Sequence, residues 1–255
     1  MNRKEINIFR RCSRNVVKFL RYMTILTARG NTKFNPYGHQ VRLLRKFAST
    51  WCDENPAAKR NHVVIGPRQC GKTVMIAAYM LWFATFNPDK YIALITPKNA
   101  MSAEILGTIR KMYDSLPDFL KINTVKNNKT TMVFENGSRI FIGNSRANCV
   151  KGRAVDLMVL DEAAFFSKKD FENFLMSIFP TQASRQYAQM IMISTPAMIN
   201  DFHIIWKKAK EGISSFIASK IRWDCLPDRT PEWKERMIRD WGQEFFDREY
   251  AVKFI

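Results

Sequence analysis

Short apolar runs alternate with longer, helix-like stretches through the middle of the chain. Runs rich in β-branched residues at 62–65 and 91–96 each precede a stretch with helical spacing of apolar positions, at 74–86 and 101–116. Such alternation of strands and helices predicts a parallel sheet with right-handed crossover connections. The pattern therefore favours an α/β fold in which helices flank the sheet.

Further apolar runs extend this predicted sheet. Those at 157–160 and 190–194 are continuous rather than alternating, as expected for central strands buried on both faces. The dipeptide Asn136-Gly137 joins TMVFE to SRIFIG, and Asn-Gly between two such segments predicts a hairpin turn. We therefore expect one central sheet that is mostly, but not wholly, parallel.

The two ends of the chain differ from this middle part. The first 30 residues interleave basic and apolar positions, which predicts one or two basic amphipathic helices. Their basic side chains either form a solvated face packed on the core or contact nucleic acid. After Pro196 the pattern changes, and Thr230-Pro231 is typical of a helix start. We predict a basic helical segment at 1–33, a core at 34–200 and a small subdomain at 201–255.

Composition adds a polyanionic partner to this picture. The 255 residues suffice for one sizeable α/β domain, and 41 Lys and Arg against 23 Asp and Glu give a net charge of +18. No apolar stretch reaches the length of a membrane span and no secretory signal is present, so we expect an intracellular protein without membrane contact. Five scattered cysteines without a C-x-x-C pair argue against a disulfide framework and against a zinc site.

A phosphate-binding motif occupies residues 66–73, which read GPRQCGKT between a predicted strand and a predicted helix. This is the G-x-x-x-x-G-K-T loop, whose glycines let backbone N–H groups face an anion at a helix N-terminus. Lys72 is expected to contact the β- and γ-phosphates, and the Thr73 hydroxyl to bind Mg²⁺. The predicted nucleotide-binding residues of this phosphate loop are Gly66, Pro67, Arg68, Gln69, Cys70, Gly71, Lys72 and Thr73.

Two later strand ends supply the other parts of a hydrolase site. The run LMVLDE ends in Asp161, a predicted Mg²⁺ ligand, and in Glu162, which is placed to polarise the attacking water. The second acid favours hydrolysis over phosphoryl transfer to a substrate hydroxyl. The next strand leads to Ser194 and Thr195. Because ligands bind at the carboxyl edge of open parallel sheets, these hydroxyls are placed to sense the γ-phosphate.

In this order the motifs resemble those of the large terminase subunits of tailed bacteriophages, in particular the N-terminal packaging ATPase domain of myovirus-type members. The resemblance runs from about residue 34 to 255 and includes GPRQCGKT, NPDKYIALITPKNAMSAEIL, LPDFL and VLDEAAF. It implies that Arg68 senses the γ-phosphate, that Ser194-Thr195-Pro196 couples hydrolysis to movement, and that Gln40 reads the adenine edge. His39 stands where an aromatic residue commonly precedes that glutamine.

Two departures from the family pattern bear on mechanism. Members usually carry Arg-Gly before the acidic strand as a finger for a neighbouring subunit's site, where this chain has Lys151-Gly152-Arg153. Lysine lacks the planar fork of arginine, so the trans-acting catalytic residue is either Lys151 or Arg153. Members also continue into a nuclease domain, and the sequence ends where that domain is expected to begin. We therefore expect no endonuclease activity from it.

The resemblance implies a motor that hydrolyses ATP with Mg²⁺ and drives double-stranded DNA into a procapsid. The implied partners are the DNA, the portal protein, the small terminase subunit and further copies of the chain. The chain is expected to be a monomer in solution. On the portal, its copies are expected to form a homo-oligomeric ring, a pentamer. The implied location is the host cytoplasm, at the procapsid portal and not in the mature virion.

Two alternatives stay open from the residues alone. A superfamily-two helicase has similar motifs but needs a second RecA-like domain, and only residues 197–255 follow the third motif. A nucleotide-gated nucleic-acid-binding module without translocation needs the same positive charge. It has, however, no chemical use for Lys72, Asp161 and Glu162 together. Turnover that rises on addition of DNA, portal or a partner subunit separates a motor from such a module.

Overall fold

The strands and helices alternate along the chain as the sequence predicts. The computed structural model describes residues 1–28, 30–55, 57–144, 150, 152–183 and 187–254. In chain order the elements of this part are α1 (Arg3–Ser13), α2 (Val16–Leu20), β1 (Thr24–Thr27), β2 (Gly30–Lys33), α3 (Gly38–Trp51), β3 (Asn61–Ile65), α4 (Lys72–Phe86), β4 (Tyr91–Thr96), α5 (Asn99–Asp114), β5 (Thr124–Asn128), β6 (Thr131–Phe134), β7 (Arg139–Asn144), β8 (Leu157–Asp161), α6 (Lys168–Ala183), β9 (Gln189–Ser194), α7 (Asp201–Lys210), β10 (Phe216–Lys220), α8 (Pro231–Trp241) and α9 (Gln243–Glu249).

One sheet organises the described part of the chain, with eight strands in the order β10-β3-β9-β8-β4-β7-β6-β5. Neighbouring strands from β10 to β7 run parallel, whereas β5 and β6 continue from β7 as an antiparallel meander. The predicted hairpin is confirmed, with Gly137 at a φ of 82° between β6 and β7. This arrangement is the mostly parallel, RecA-like α/β fold that the sequence predicts.

Helices cover both faces of this sheet. On one face, α4 packs on the sheet and is surrounded by α2, α3 and α5, of which α5 also contacts β4 and β7. Its residues from Met75 to Thr85 are all buried, which explains why this helix has no polar face. On the other face, α6 and α7 contribute Phe174 and Phe202 to a second apolar cluster. The central strands are therefore buried on both sides, as their continuous apolar runs require.

The N-terminal segment packs onto this core and is only partly helical. α2 buries Val16, Phe19 and Leu20 in the cluster around α4, while the basic side chains of α1 and α2 face outward. Residues 1–33 were predicted to be helical, but β1 and β2 pair there as an antiparallel hairpin. The physical reason is local: Gly30 takes a φ of 85°, and the flanking Thr and Ile residues favour extended backbone.

The predicted boundary at residue 200 does not match the packing of the C-terminal part. β10 pairs with β3 in parallel, from Phe216 opposite Asn61 to Lys220 opposite Ile65, and α7 packs against both strands. Residues up to 220 therefore belong to the sheet and its helical layers. The segment that carries α8 and α9 stands outside them. Its aromatic cluster of Trp223, Trp233 and Phe246 has ring centroids 5.7, 6.2 and 6.3 Å apart.

A buried polar network ties the sheet to the helical layer and provides a test of this packing. Tyr79 Oη donates to Gln189 Oε1 at 2.9 Å, and Gln189 Nε2 donates to the Phe47 carbonyl oxygen at 3.0 Å. Tyr79→Phe leaves a buried amide oxygen without its partner, so we expect the free energy of unfolding to fall by about 1–3 kcal/mol in urea denaturation. Tyr187→Phe, at an exposed tyrosine, is the matched control. Equal midpoints for the two variants would contradict this packing.

Candidate active site

The ends of four neighbouring strands meet at one edge of the sheet. β3 ends before Gly66, β9 at Ser194, β8 at Asp161 and β4 at Thr96, and these strands are adjacent in the order β3-β9-β8-β4. A cavity of about 800 Å³ opens there. Its lining includes these residues that the sequence predicts for the site: Arg68, Gln69, Cys70, Gly71, Lys72, Thr73, Glu162 and Thr195. The fold therefore brings the three predicted motifs to one place.

The phosphate loop adopts backbone conformations that its sequence permits. Gly71 lies at a φ of 75° and directly precedes α4, so the first N–H groups of that helix face the loop. A Cβ atom on Gly71 would stand 2.6 Å from Gln40 Nε2, and one on Gly66 would stand 2.8 Å from Ile221 Cδ1. A side chain at either position would force its neighbour to move, and at Gly71 it would also be strained by the positive φ.

Lys72 lies inside the loop with its ammonium group surrounded by oxygen atoms. Its Nζ donates to the Pro67 carbonyl oxygen at 2.8 Å, to that of Gly66 at 3.3 Å and to Thr195 Oγ1 at 3.0 Å. The side chain is almost fully buried. A buried ammonium group with this many oxygen neighbours is well placed to exchange them for phosphate oxygens. The contact also joins the phosphate loop to the end of β9.

Thr73 and Asp161 form the predicted metal-binding pair. Thr73 Oγ1 donates to Asp161 Oδ2 at 2.8 Å. Burial, and secondly the negative charge of Glu162, raise the pKa of Asp161 to about 6, against the opposing effects of Thr73 and Lys72. A divalent cation would offset both unfavourable effects, and hydroxyl and carboxylate oxygens are the ligands that Mg²⁺ takes. The residues present therefore fit the predicted Mg²⁺.

Glu162 follows in an uncommon backbone conformation. Its φ of 53° is left-handed, and its N–H donates to Asp161 Oδ1 at 3.0 Å. A glutamate in this conformation is infrequent outside functional turns, because the side chain crowds its own backbone. The turn directs its carboxylate to the cavity, where Ser194 Oγ lies 3.2 Å from Glu162 Oε2. This hydroxyl also accepts from the Ala164 N–H at 3.2 Å, which fixes the position of the turn.

Arg68 connects the phosphate loop to the C-terminal segment. Its guanidinium group forms an ion pair with the buried carboxylate of Glu249 at the end of α9. A backbone hydrogen bond joins the same two residues, in which the Arg68 N–H donates to the Glu249 carbonyl oxygen at 3.0 Å. Arg229 Nη2 in turn donates to the Arg68 carbonyl oxygen at 2.6 Å. The Arg68 side chain lines the cavity and remains 57% exposed, so it has room to change partners.

Gln40 supports the phosphate loop from α3. Its Oε1 accepts from the Tyr37 N–H at 2.9 Å, and its Nε2 donates to the Gly71 carbonyl oxygen at 3.0 Å. Both ends of the amide are thus engaged within the chain, and the residue is buried. Adenine recognition by Gln40 stays a prediction. What the geometry shows is a brace that holds the loop against the first turn of α3.

Arg153 lies away from the cavity of its own chain. Its Nη1 donates to Tyr91 Oη at 2.8 Å, and its guanidinium group stands 5.7 Å from the ring centroids of Tyr91 and Phe141. Tyr91 begins β4, so this contact belongs to the opposite edge of the sheet from the phosphate loop. The competing candidate, Lys151, lies outside the described residues. A role in trans for either residue stays a prediction.

The cavity also contains residues that the sequence analysis did not predict, namely Val74, Pro97, Lys98, Met101 and Phe165. Lys98 was within reach of the same reasoning, because it lies two residues beyond the end of β4, at the carboxyl edge of the sheet. Phe165 follows the acidic strand in a 3₁₀ turn (Ala163–Phe165). Glu249 had no local signal, since only the folded chain places it beside Arg68.

Fold and site together define a P-loop nucleoside-triphosphatase of the RecA-like class. The chain belongs to the family described as terminase large subunit, T4likevirus-type, N-terminal, whose model matches residues 63–255. In the described part of the chain no helix is both long and apolar enough to cross a membrane.

Solved structures share this fold at low sequence identity. The large terminase ATPase domain of Thermus phage P74-26 is 20% identical, with a TM-score of 0.67 over 87% of this chain and 95% of that one. The HK97 bacteriophage large terminase is 16% identical, with a TM-score of 0.71 over 94% of this chain and 54% of that one. A large terminase of a thermophilic bacteriophage in complex with ADP is also 16% identical, with a TM-score of 0.65 over 86% and 54%. The chain thus spans about half the length of these latter two.

Glycine replacements test the geometry of the loop. Gly71→Ala combines strain at positive φ with the close approach to Gln40, so we expect it to lower the free energy of unfolding by about 1–2 kcal/mol. It should also weaken binding of ATPγS in calorimetric titration. Gly107→Ala is the matched control, because Gly107 lies within α5 and a Cβ there meets nothing within 4 Å. That change should stabilise by about 0.5–1 kcal/mol. Two stabilised variants would contradict the loop geometry.

Proposed function

We propose that this chain is an ATP phosphohydrolase whose cycle drives double-stranded DNA into a viral procapsid. The observation that carries the proposal is the convergence of Thr73, Asp161 and Glu162 beside Lys72 at one cavity. A site that only holds nucleotide needs the loop and its lysine. The additional carboxylate of Glu162 suits a site that also activates water. Membership of the terminase large-subunit family, and the ADP complex of a related phage terminase, support the same assignment.

Each residue has a role that follows from its position. The N–H groups of the phosphate loop and Lys72 bind the phosphates of ATP. Thr73 and Asp161 would hold Mg²⁺, which would supply positive charge to the triphosphate. Glu162 orients a water molecule and accepts its proton, and Ser194 fixes the direction of that carboxylate.

We infer that Arg68 couples the phosphate site to the C-terminal segment. Its guanidinium group has two possible anionic partners, the γ-phosphate of ATP and the carboxylate of Glu249. When Arg68 turns toward the phosphate, the ion pair with Glu249 breaks, and α9 loses one of its links to the loop. Release of phosphate restores the pair. The nucleotide state thereby biases the position of α8 and α9, as the coupling of hydrolysis to movement requires.

Exposed apolar side chains beside the cavity support assembly into a ring. Phe165, Met198, Ile199 and Ile204 are 45, 71, 70 and 47% exposed and share one surface depression. Contiguous exposed apolar surface of this kind is typical of a protein contact. A head-to-tail contact between copies closes into a ring and allows Arg153, or Lys151, of one copy to reach the next copy's site. The proposed pentamer, the portal and the small subunit rest on family membership.

The net charge of +18 supports binding to a polyanion, which in a packaging motor is the DNA that it moves. Work at the portal of a procapsid, in the host cytoplasm, follows from that role. The proposal does not extend to nuclease activity. The chain spans about half the length of the HK97 terminase.

Phosphate release from ATP tests the proposal. Glu162→Gln keeps the shape of the side chain and removes the base, so we expect at least about a hundredfold lower rate with Mg-ATP binding retained. Glu235→Gln, at an exposed glutamate of α8, is the matched control and should keep the rate. Unmutated protein should release phosphate faster than in proportion to its concentration, and faster again with double-stranded DNA. Tight Mg-ATP binding without turnover, even at high concentration with DNA, would instead indicate a nucleotide-gated binding module.

A further inference from the structure

Three soft metal ligands from distant parts of the chain meet beneath the phosphate loop. His39 lies in the first turn of α3, Cys70 in the loop, and Cys225 between β10 and α8. One ring nitrogen of His39 and the two Sγ atoms all lie within 4.8 Å of one another. The spacing of the cysteines along the sequence argued against a zinc site, because no two of them are close in the chain. The fold nevertheless brings two of them together, which that spacing did not indicate.

The histidine of this cluster is buried and has one ring nitrogen engaged and one without a partner in the described part of the chain. His39 is 5% exposed, and its Nε2 lies 2.9 Å from the Cys70 carbonyl oxygen. Its Nδ1 is buried and has no hydrogen-bond partner within the described chain. When Nε2 carries the proton and donates it to that carbonyl oxygen, Nδ1 offers a free lone pair. Histidine ligands typically donate their second N–H to a backbone carbonyl or carboxylate in this way.

The contact between the two thiols favours the thiolate of Cys70. The hydrogen bond from Cys225, opposed by burial and assisted by the charge of Lys72, lowers the pKa of Cys70 to about 5. The same interaction and burial raise the pKa of Cys225. Thiolate is the form of cysteine that coordinates metal, so a lowered pKa at Cys70 favours metal binding. Binding of a cation would release the remaining thiol proton to solvent.

We propose that His39, Cys70 and Cys225 bind one thiophilic divalent cation, for which Zn²⁺ is the best fit. Two thiolates and an imidazole are soft ligands that select zinc over magnesium, and together they leave a fourth position open. Zn–S and Zn–N bonds of about 2.3 and 2.1 Å place tetrahedral ligand atoms about 3.6–3.8 Å apart. The three atoms therefore need to approach by about 1 Å at most, within the range of side-chain rotation.

This site is separate from the proposed Mg²⁺ site, which uses the oxygen atoms of Thr73 and Asp161. A cation bound to the three soft ligands joins the phosphate loop, the start of α3 and the segment before α8 through bonds stronger than the hydrogen bonds already there. Because the cation binds only the folded arrangement, it raises the unfolding temperature. Neither property depends on ATP hydrolysis, so the proposal can be tested independently of the proposed function.

Cobalt titration of the reduced, metal-free protein tests the proposal, because Co²⁺ bound to thiolate gives a sulfur-to-metal absorption band. We expect one equivalent of Co²⁺ to develop that band, Zn²⁺ to displace it, and Zn²⁺ to raise the unfolding temperature. Cys225→Ser should lose the band and the shift in unfolding temperature. Cys52→Ser, at an exposed cysteine outside the cluster, should keep both.

Two controls keep the outcome decisive. Circular dichroism of metal-free Cys225→Ser establishes that the variant folds, and His39→Asn is the second variant if it does not. Loss of the band in either folded variant supports the site. Absence of a thiolate band in the unmutated protein would overturn the proposal. So would a band of unchanged intensity in both Cys225→Ser and His39→Asn, because cobalt binding would then not need the three ligands together.

Discussion

The hydrogen bond between Thr73 and Asp161 is the contact on which the site depends. It joins the first turn of α4 to the end of β8. The strand before α4 is β3, and β9 lies between β3 and β8 in the sheet. The bond can form only when the phosphate loop directs α4 back over the sheet. That requires α4 to be buried on nearly every side, which α2, α3 and α5 provide. The N-terminal helices therefore serve the active site by burying the helix that carries Thr73.

Burial also determines the chemistry of this contact. An isolated carboxylate in the position of Asp161 is unfavourable, as its raised pKa shows. In the proposed function, a divalent cation bound with the nucleotide would offset this cost, so burial of the acid would favour Mg²⁺ binding. Glu162 adds a second negative charge beside it, held by a left-handed backbone and by Ser194. The two acids are thus suited to a divalent cation that accompanies a phosphate-bearing ligand.

The phosphate loop is held from two sides, which has consequences for movement. Gln40 braces it from α3, and Arg229 and Glu249 contact it from the C-terminal segment. The contact from α3 joins backbone to a buried amide, whereas the ion pair of Arg68 with Glu249 has one exposed partner. The Arg68 guanidinium can leave this pair because it is exposed, whereas the Glu249 carboxylate is buried. Under the proposed coupling, the C-terminal side is therefore the one that responds to the nucleotide.

Local patterns predicted those parts of the molecule that local physics determines. The glycine loop, the buried strands and the acid at the end of β8 follow from backbone conformation and apolar periodicity over a few residues. The hairpin β1–β2 was missed because basic residues with helical spacing concealed a short extended segment. The boundary at 200 failed since β10 joins the sheet through long-range pairing with β3. The contacts of Glu249 and Cys225 arise only from the tertiary fold, and no spacing in the sequence indicates them.

The most direct measurement is the affinity for ATPγS with and without Mg²⁺, by calorimetry, in the unmutated protein and in Thr73→Val. Valine keeps the shape of threonine but removes the hydroxyl ligand, and Thr108→Val on α5 is the control. If Thr73 and Asp161 hold the metal, Mg²⁺ should tighten binding to the unmutated protein by about tenfold or more, equivalent to about 1.4 kcal/mol. The gain in affinity from Mg²⁺ should vanish in Thr73→Val and remain in Thr108→Val. An affinity that does not respond to Mg²⁺ in the unmutated protein would contradict a metal-dependent nucleotide site at this edge of the sheet.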